Sequence, residues 1–249
     1  MNPFKILLYP FSLIYKFYFV SIFGILMLLL YPLYYLILKK RKAFKTGFKI
    51  IRVHAWLLSV FGLIIVRIID KKNIPAKGSY IICANHTSFI DIICIYIAFK
   101  DYFIFTGKKE IEKWPLFNIF YTSGMNILVD RHNRKGAFEA FKKMSKVIDD
   151  GNPLMIFPEG TISKKAPQLG SFKSGAFTIA SKKQVPIIPV TFLNNWKLFQ
   201  RGNLLKTNAQ PGFAKMIIHP PVITTKLSEE AKEKLPDQIK EIIQAPLLN

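Results

Sequence analysis

Acidic residues are scarce. The 249 residues include 15 Asp and Glu against 36 Lys and Arg, a formal charge of +21. That imbalance favours an anionic partner: nucleic acid, acidic lipid or acidic protein. Cysteine is nearly absent. Cys83 and Cys94 both sit in apolar surroundings, which excludes a disulfide framework and suits a reducing, cytoplasmic location for the globular part. The sequence has no metal-ligand spacing and no nucleotide fingerprint, so no bound cofactor or metal is expected. It has no repeat and no low-complexity linker. Long apolar runs are missing after Asp70, where the chain reads as one ordinary domain.

Before Asp70 the composition reverses. Residues 17–38 carry no charge; as a helix they would be about 33 Å long, enough to cross a bilayer core. The run is too long for a simple signal peptide and lacks a small-residue cleavage site. Pro32 predicts a kink. A second apolar run, residues 53–69, contains His54 and Arg67 and is marginal as a span. Basic residues follow both runs, at Lys39, Lys40, Arg41 and Lys42 and at Lys71 and Lys72, and Tyr and Trp lie near the run ends. Basic loops stay cytoplasmic. A kinked helical hairpin buried in the cytoplasmic leaflet satisfies both clusters, so 1–73 is expected to be a membrane-associated helical segment and 74–249 the functional domain. Apolar runs with basic flanks favour anionic membrane lipids over nucleic acid as partner.

From residue 74 strand and helix patterns alternate. Short runs rich in Ile, Val, Phe or Tyr predict strands at 79–84, 102–106, 126–129, 154–157, 187–192 and 214–218. Helical patterns fall at 89–99, 114–123, 135–149 and 173–183, with Phe138, Phe141, Met144 and Ile148 on one face of the third. Residues 228–244 form an amphipathic helical pattern interrupted at Pro236. The fold class is α/β: a mixed, largely parallel sheet covered by helices, preceded by the N-terminal helical hairpin.

Four segments carry chemistry. After the first of these strands comes Asn85-His86-Thr87-Ser88-Phe89-Ile90-Asp91. Five helical steps turn about 140°, so His86 and Asp91 would not share a helix face. They meet if His86 precedes the helix, with Thr87 or Ser88 as N-cap. Asp91 would then fix the imidazole tautomer and leave a base; otherwise it only favours the helix N-terminus. Phe157-Pro158-Glu159-Gly160-Thr161 ends another strand with a turn whose N–H groups suit an anion. Residues 124–131 read as a strand ending in Asp130 and Arg131; Arg131 either grips phosphate or is solvated. Residues 185–190 form a proline-bearing strand, which signals an edge or a bulge.

In this order the four segments resemble the blocks of the glycerolipid acyltransferase family, whose best-known members are lysophosphatidate acyltransferases. The family patterns N-H-x-x-x-x-D, G-x-I/F-x-I/V-x-R, F-P-E-G-T-R and V-P-I/V-x-P-V match residues 85–91, 125–131, 157–162 and 185–190, with Met125 at the usual glycine and Gly124 one residue earlier. The resemblance implies a catalytic pair, His86 as base and Asp91 as its orienting partner. It implies direct attack of a lysophospholipid hydroxyl on an acyl thioester of coenzyme A or acyl carrier protein, with no acyl-serine at Ser88. It implies an acceptor-phosphate site at Arg131, Glu159, Gly160 and Thr161, with Glu159 orienting cations or the turn. Lys108 and Lys173 are further candidates there.

One departure stands out: Ile162 occupies the position of the family's arginine. Either Lys164, Lys165 or Lys173 supplies the missing cation, or the acceptor is another lysolipid, such as a lyso-amino-acid lipid. Arg131 is then expected to be the principal phosphate grip. A noncatalytic anionic-lipid-binding protein is the alternative outside enzymes, disfavoured by the His86–Asp91 pair. His54, His132 and His219 lie outside the blocks and suit core or surface roles.

Overall fold

A computed structural model describes residues 3–131, 133–203 and 205–248. Helix α1, Pro3–Leu38, continues through Pro10 and Pro32. Within it Tyr9–Leu38 is long and apolar enough to cross a membrane. After a 3-10 turn at Arg41–Ala43, helix α2, Phe44–Phe61, returns along α1. Tyr34 Oη meets His54 Nδ1 at 3.0 Å, and Tyr15 Oη donates to the Gly62 carbonyl at 2.6 Å. Gly47 permits the close approach, since a Cβ there would lie 2.6 Å from Leu38 Cδ2.

The second apolar run is not one helical arm. α2 stops at Phe61, Gly62 and Leu63 turn the chain, and Ile64–Ile69 becomes strand β1. The β-branched sequence Ile-Ile-Val-Arg-Ile-Ile favours a strand, and its burial alternates accordingly. The sheet thus takes a strand from the segment 1–73.

The remaining elements are β2 (Ile81–Ala84), α3 (Ile90–Ala98), β3 (Ile104–Lys108), α4 (Ile119–Thr122), β4 (Ile127–Val129) and α5 (Arg134–Asp149). Then come β5 (Leu154–Ile156), α6 (Gly175–Lys183), β6 (Ile187–Phe192), α7 (Asn195–Leu198), β7 (Gly212–Ile218) and α8 (Glu229–Gln244). Among the described residues seven strands form one sheet in the order β1-β7-β6-β2-β5-β3-β4. Every neighbouring pair is parallel except β6 and β7.

Alternation sends Ile82 and Ala84 of β2 into a core shared with α1, α2 and α3. Ile81 and Cys83 enter the opposite core, under α5, α6 and α8. Burying each of these isoleucines contributes about 1.5–3 kcal/mol.

Four other expectations need correction. The helix expected at 114–123 shrinks to α4, because Pro115 lacks an N–H and Leu116 takes φ +63. In α5 the buried stripe is Ala140, Met144 and Ile148, and Phe138 faces solvent. α8 runs through Pro236, held by Leu235, Ile239 and Ile243 in the core. The prolines of residues 185–190 do not mark an edge: β6 is interior, and Pro189 falls in the gap between the Val222 bridge to Ile187 and the β7 ladder, which starts at Val190.

Candidate active site

Strands β2, β5, β3 and β4 are adjacent and parallel, so their carboxyl ends share one edge of the sheet. In open α/β sheets that edge is where ligands bind. His86 follows β2, residues 157–161 follow β5, Lys108 ends β3 and Arg131 follows β4. The distant blocks therefore converge by topology.

His86 Nδ1 lies 2.9 Å from Asp91 Oδ2. Asp91 is fully buried, and Oδ2 also accepts the N–H groups of Thr87 at 2.6 Å and Ser88 at 2.8 Å. Its Oδ1 accepts Asn195 Nδ2 at 2.8 Å. The helix begins at Ile90, whose N–H is accepted by Ser88 Oγ at 3.2 Å while Thr87 gives no hydroxyl cap; the carboxylate of its first turn reaches back to hold the preceding loop. A carboxylate only accepts, so Nδ1 carries the proton and Nε2 keeps its lone pair. The Phe157 ring stacks on the imidazole, with centroids 3.8 Å apart and planes at 8°. One ring face and one nitrogen are thereby constrained, and the imidazole can receive a proton from a bound hydroxyl at Nε2.

Glu159 is buried. Its Oε1 accepts the His86 N–H at 3.0 Å, and its Oε2 accepts the Gly170 N–H at 2.8 Å. Both carboxylate oxygens thus accept from the backbone around the turn. Burial pushes its carboxyl above the ordinary value, against the pull of the two N–H donors. Gly160 has φ +75, a conformation that favours glycine. A Cβ there would lie 2.8 Å from Arg131 Nη1, so the guanidinium sits directly against this turn.

Lys108 and Lys173 are exposed flanks. The Lys108 ammonium is 5.4 Å from the Trp114 ring centroid. The Lys173 backbone N–H donates to the Pro158 carbonyl at 2.9 Å, which brings that residue beside the turn. Ile162 is buried. Ser88 Oγ donates to the Phe199 carbonyl at 2.7 Å. Burial pushes the Cys83 and Cys94 thiols far above their ordinary range, which removes them as nucleophiles. His54 is bonded inside the helix pair and His219 Nε2 meets Thr191 Oγ1 at 2.8 Å; His132 lies outside the described residues.

Asn195 and Arg201 were not legible beforehand. Asn195 is 104 positions from Asp91, so no local spacing announces it. Arg201 Nη1 donates to Thr161 Oγ1 at 3.1 Å and also to the Ile162 carbonyl.

A family model described as acyltransferase matches residues 65–193, which span all four blocks. The chain belongs to the acyltransferase family. A 1-acyl-sn-glycerol-3-phosphate acyltransferase of Borreliella burgdorferi is 30% identical over 194 residues, 78% of this chain and 74% of that protein. One of Helicobacter pylori is 35% identical over 122 residues, 49% of this chain and 52% of that protein. The crystal structure of the 1-acyl-sn-glycerophosphate acyltransferase PlsC from Thermotoga maritima superposes with TM-score 0.73 at 25% identity, covering 98% of this chain and 96% of that one. The chain spans about half the length of several curated relatives it matches. The match to this acyltransferase structure extends over α1 and α2 as well as the sheet, so the helix pair belongs to the shared fold.

Proposed function

We propose that this acyltransferase esterifies the free hydroxyl of lysophosphatidate to give phosphatidate for phospholipid synthesis. The donor is an acyl thioester of coenzyme A or of acidic acyl carrier protein. The observation that carries the reading is the His86–Asp91 pair, with Nδ1 committed to a buried carboxylate and Nε2 left basic. His86 Nε2 takes the acceptor hydroxyl proton as that oxygen attacks the thioester carbonyl. A C–O bond forms, the C–S bond breaks, and the thiolate leaves with the proton from the imidazolium. Asp91 stabilises the charge that develops on the ring. No covalent acyl-enzyme is required. The test is phosphatidate formation by the purified protein from lysophosphatidate and each donor. Thioester consumption without phosphatidate would reject the acceptor.

Arg131, with Gly160 and Thr161, binds the acceptor phosphate, and Lys108 and Lys173 add positive potential at the rim. Arg131→Ala is expected to raise the Michaelis constant for lysophosphatidate by about 10-fold or more with little change in kcat, because it removes binding made in ground and transition states alike. Arg131→Lys should recover only part of this, since an ammonium lacks the bidentate fork. Acceptor-dependent kinetics decide the point. An unchanged constant, with a rise in Lys173→Ala instead, would move the grip to Lys173.

The helix pair seats the enzyme in the cytoplasmic leaflet, among anionic lipids. Phe11, Ile14, Leu28, Leu29 and Leu36 of α1, with Val53, Trp56 and Val60 of α2, expose an apolar face. Lys39, Lys40, Arg41 and Lys42 lie at its turn. Such a face with basic flanks suits interfacial burial. Cysteines introduced at Lys42 or at Lys226 are expected to resist an impermeant thiol reagent outside intact cells and to react after lysis. The native thiols are buried and give little background. Reaction at Lys42 from outside would establish a spanning arrangement instead.

A further inference from the structure

Two guanidinium groups, not one, meet the turn after β5. Arg131 approaches Gly160 from the end of β4. Arg201 approaches from the segment between α7 and β7. Its Nη1 donates to Thr161 Oγ1 at 3.1 Å and to the carbonyl of Ile162, the residue that replaces the expected cation. Ser163, next in sequence, donates its N–H to the His86 carbonyl at 2.8 Å. Arg201 is therefore bound to the backbone that braces the histidine, while Lys164, Lys165 and Lys173 are exposed around it.

The segment that presents Arg201 is tied at both ends. The antiparallel bridge between Phe199 and Ala209 closes its base. The Phe199 carbonyl accepts Ser88 Oγ at 2.7 Å, and the Phe199 ring lies 5.3 Å from that of Phe19 in α1. Along α1, Ser12 Oγ accepts the Ala209 N–H at 2.7 Å, Lys16 donates to the Thr207 carbonyl and Tyr9 to the Leu205 carbonyl. Ser12 and Lys16 are buried. The apolar helix thus holds a strap whose arginine lies on the acceptor turn.

We propose that Arg201 is the second grip on the acceptor phosphate and that α1 sets its position through this strap. The inference rests on the lysophosphatidate reading. A phosphomonoester near charge −2 is matched by two planar guanidinium groups on one turn, and each charge-assisted contact is directional. Because the strap is fastened to α1, seating that helix in lipid and forming the acceptor site are one structural event.

Steady-state kinetics on the full chain in lipid-detergent micelles test this, comparing lysophosphatidate with 1-acylglycerol, which has the same acyl chain and no phosphate. Arg201→Ala should raise the lysophosphatidate Michaelis constant by about 10-fold or more, keep kcat within about threefold, and change the 1-acylglycerol constant by far less. Arg201→Lys should lie between. Ser12→Ala, which touches no substrate, should shift the same constant in the same direction by less. An unchanged constant in Arg201→Ala, or an equal loss with both acceptors, overturns the proposal and assigns Arg201 to holding the loop. In that outcome phosphatidate formation by the unmodified protein leaves the functional reading standing. Failure of the unmodified protein to make phosphatidate overturns both.

Discussion

His86→Ala lowers phosphatidate formation by about 10²–10⁴-fold, the usual contribution of a positioned general base, while the protein stays folded. The two halves of this expectation have separate physical grounds. The ring nitrogen that faces substrate has no substitute within the pair, since Asp91 is wholly buried behind the imidazole. The architecture, in contrast, runs through the backbone of His86: its N–H goes to Glu159 and its carbonyl to Ser163. Both bonds survive truncation to alanine. What is lost is the stacking against Phe157 and the bond from Nδ1 to Asp91, whose carboxylate keeps the Thr87, Ser88 and Asn195 donors; the side chain is only 12% exposed, so a modest drop in thermal midpoint accompanies the loss of turnover. The measurements are kcat and the unfolding midpoint of the variant in detergent. Turnover near that of the unmodified protein, in a variant that melts normally, would remove His86 from the reaction.

The pair itself was legible because its geometry is local. Strand β2, the turn and helix α3 are all signalled within twenty residues, and a five-residue spacing across a strand-to-helix turn leaves few ways for a carboxylate to meet the ring. The block order gave the family, and alternating strand and helix patterns gave six of the seven strands. β1 escaped because Ile64–Ile69 is as apolar as the helix before it. Composition cannot tell a half-buried strand from the end of a membrane-length helix, and the break rests on Gly62 and a left-handed Leu63. α4 was overestimated for the converse reason: apolar periodicity persisted where Pro115 and Leu116 had already fixed the backbone. Asn195 and Arg201 were illegible because they reach the site through tertiary packing. Each lies outside the blocks, and neither its neighbours nor its spacing marks it. Ile162 did signal that a cation was missing; it gave no direction in which to look for another.

The second large effect falls on Asp91, where architecture and chemistry coincide. Asp91→Ala removes the acceptor of the Thr87 and Ser88 N–H groups and of Asn195 Nδ2, all in a fully buried setting. An unsatisfied buried donor costs about 1–3 kcal/mol, so the variant should lose about 3 kcal/mol or more of stability. Its turnover should fall at least as far as that of His86→Ala, because the ring loses both its tautomer and its aim. Asp91→Asn separates the two contributions. Its amide oxygen can keep the place of Oδ2, still accepting from Thr87, Ser88 and His86 Nδ1. Its amide nitrogen then faces Asn195, whose Oδ1 is buried without a hydrogen-bond partner among the described residues. Rotation of the Asn195 amide would present that oxygen as the acceptor, so the polar cluster can close again around a neutral group. Folding should be nearly retained. The charge that stabilises the imidazolium is gone, however, and loss of a charge-assisted bond worth about 1.5–3 kcal/mol predicts a fall in kcat of roughly 10–10²-fold. Melting curves and kcat for both variants provide the comparison. Full activity in Asp91→Asn would mean that the carboxylate serves only to shape the loop. Equal destabilisation in the two variants would mean that Asn195 cannot turn, and that the cluster depends on charge for its fold as well as for its chemistry.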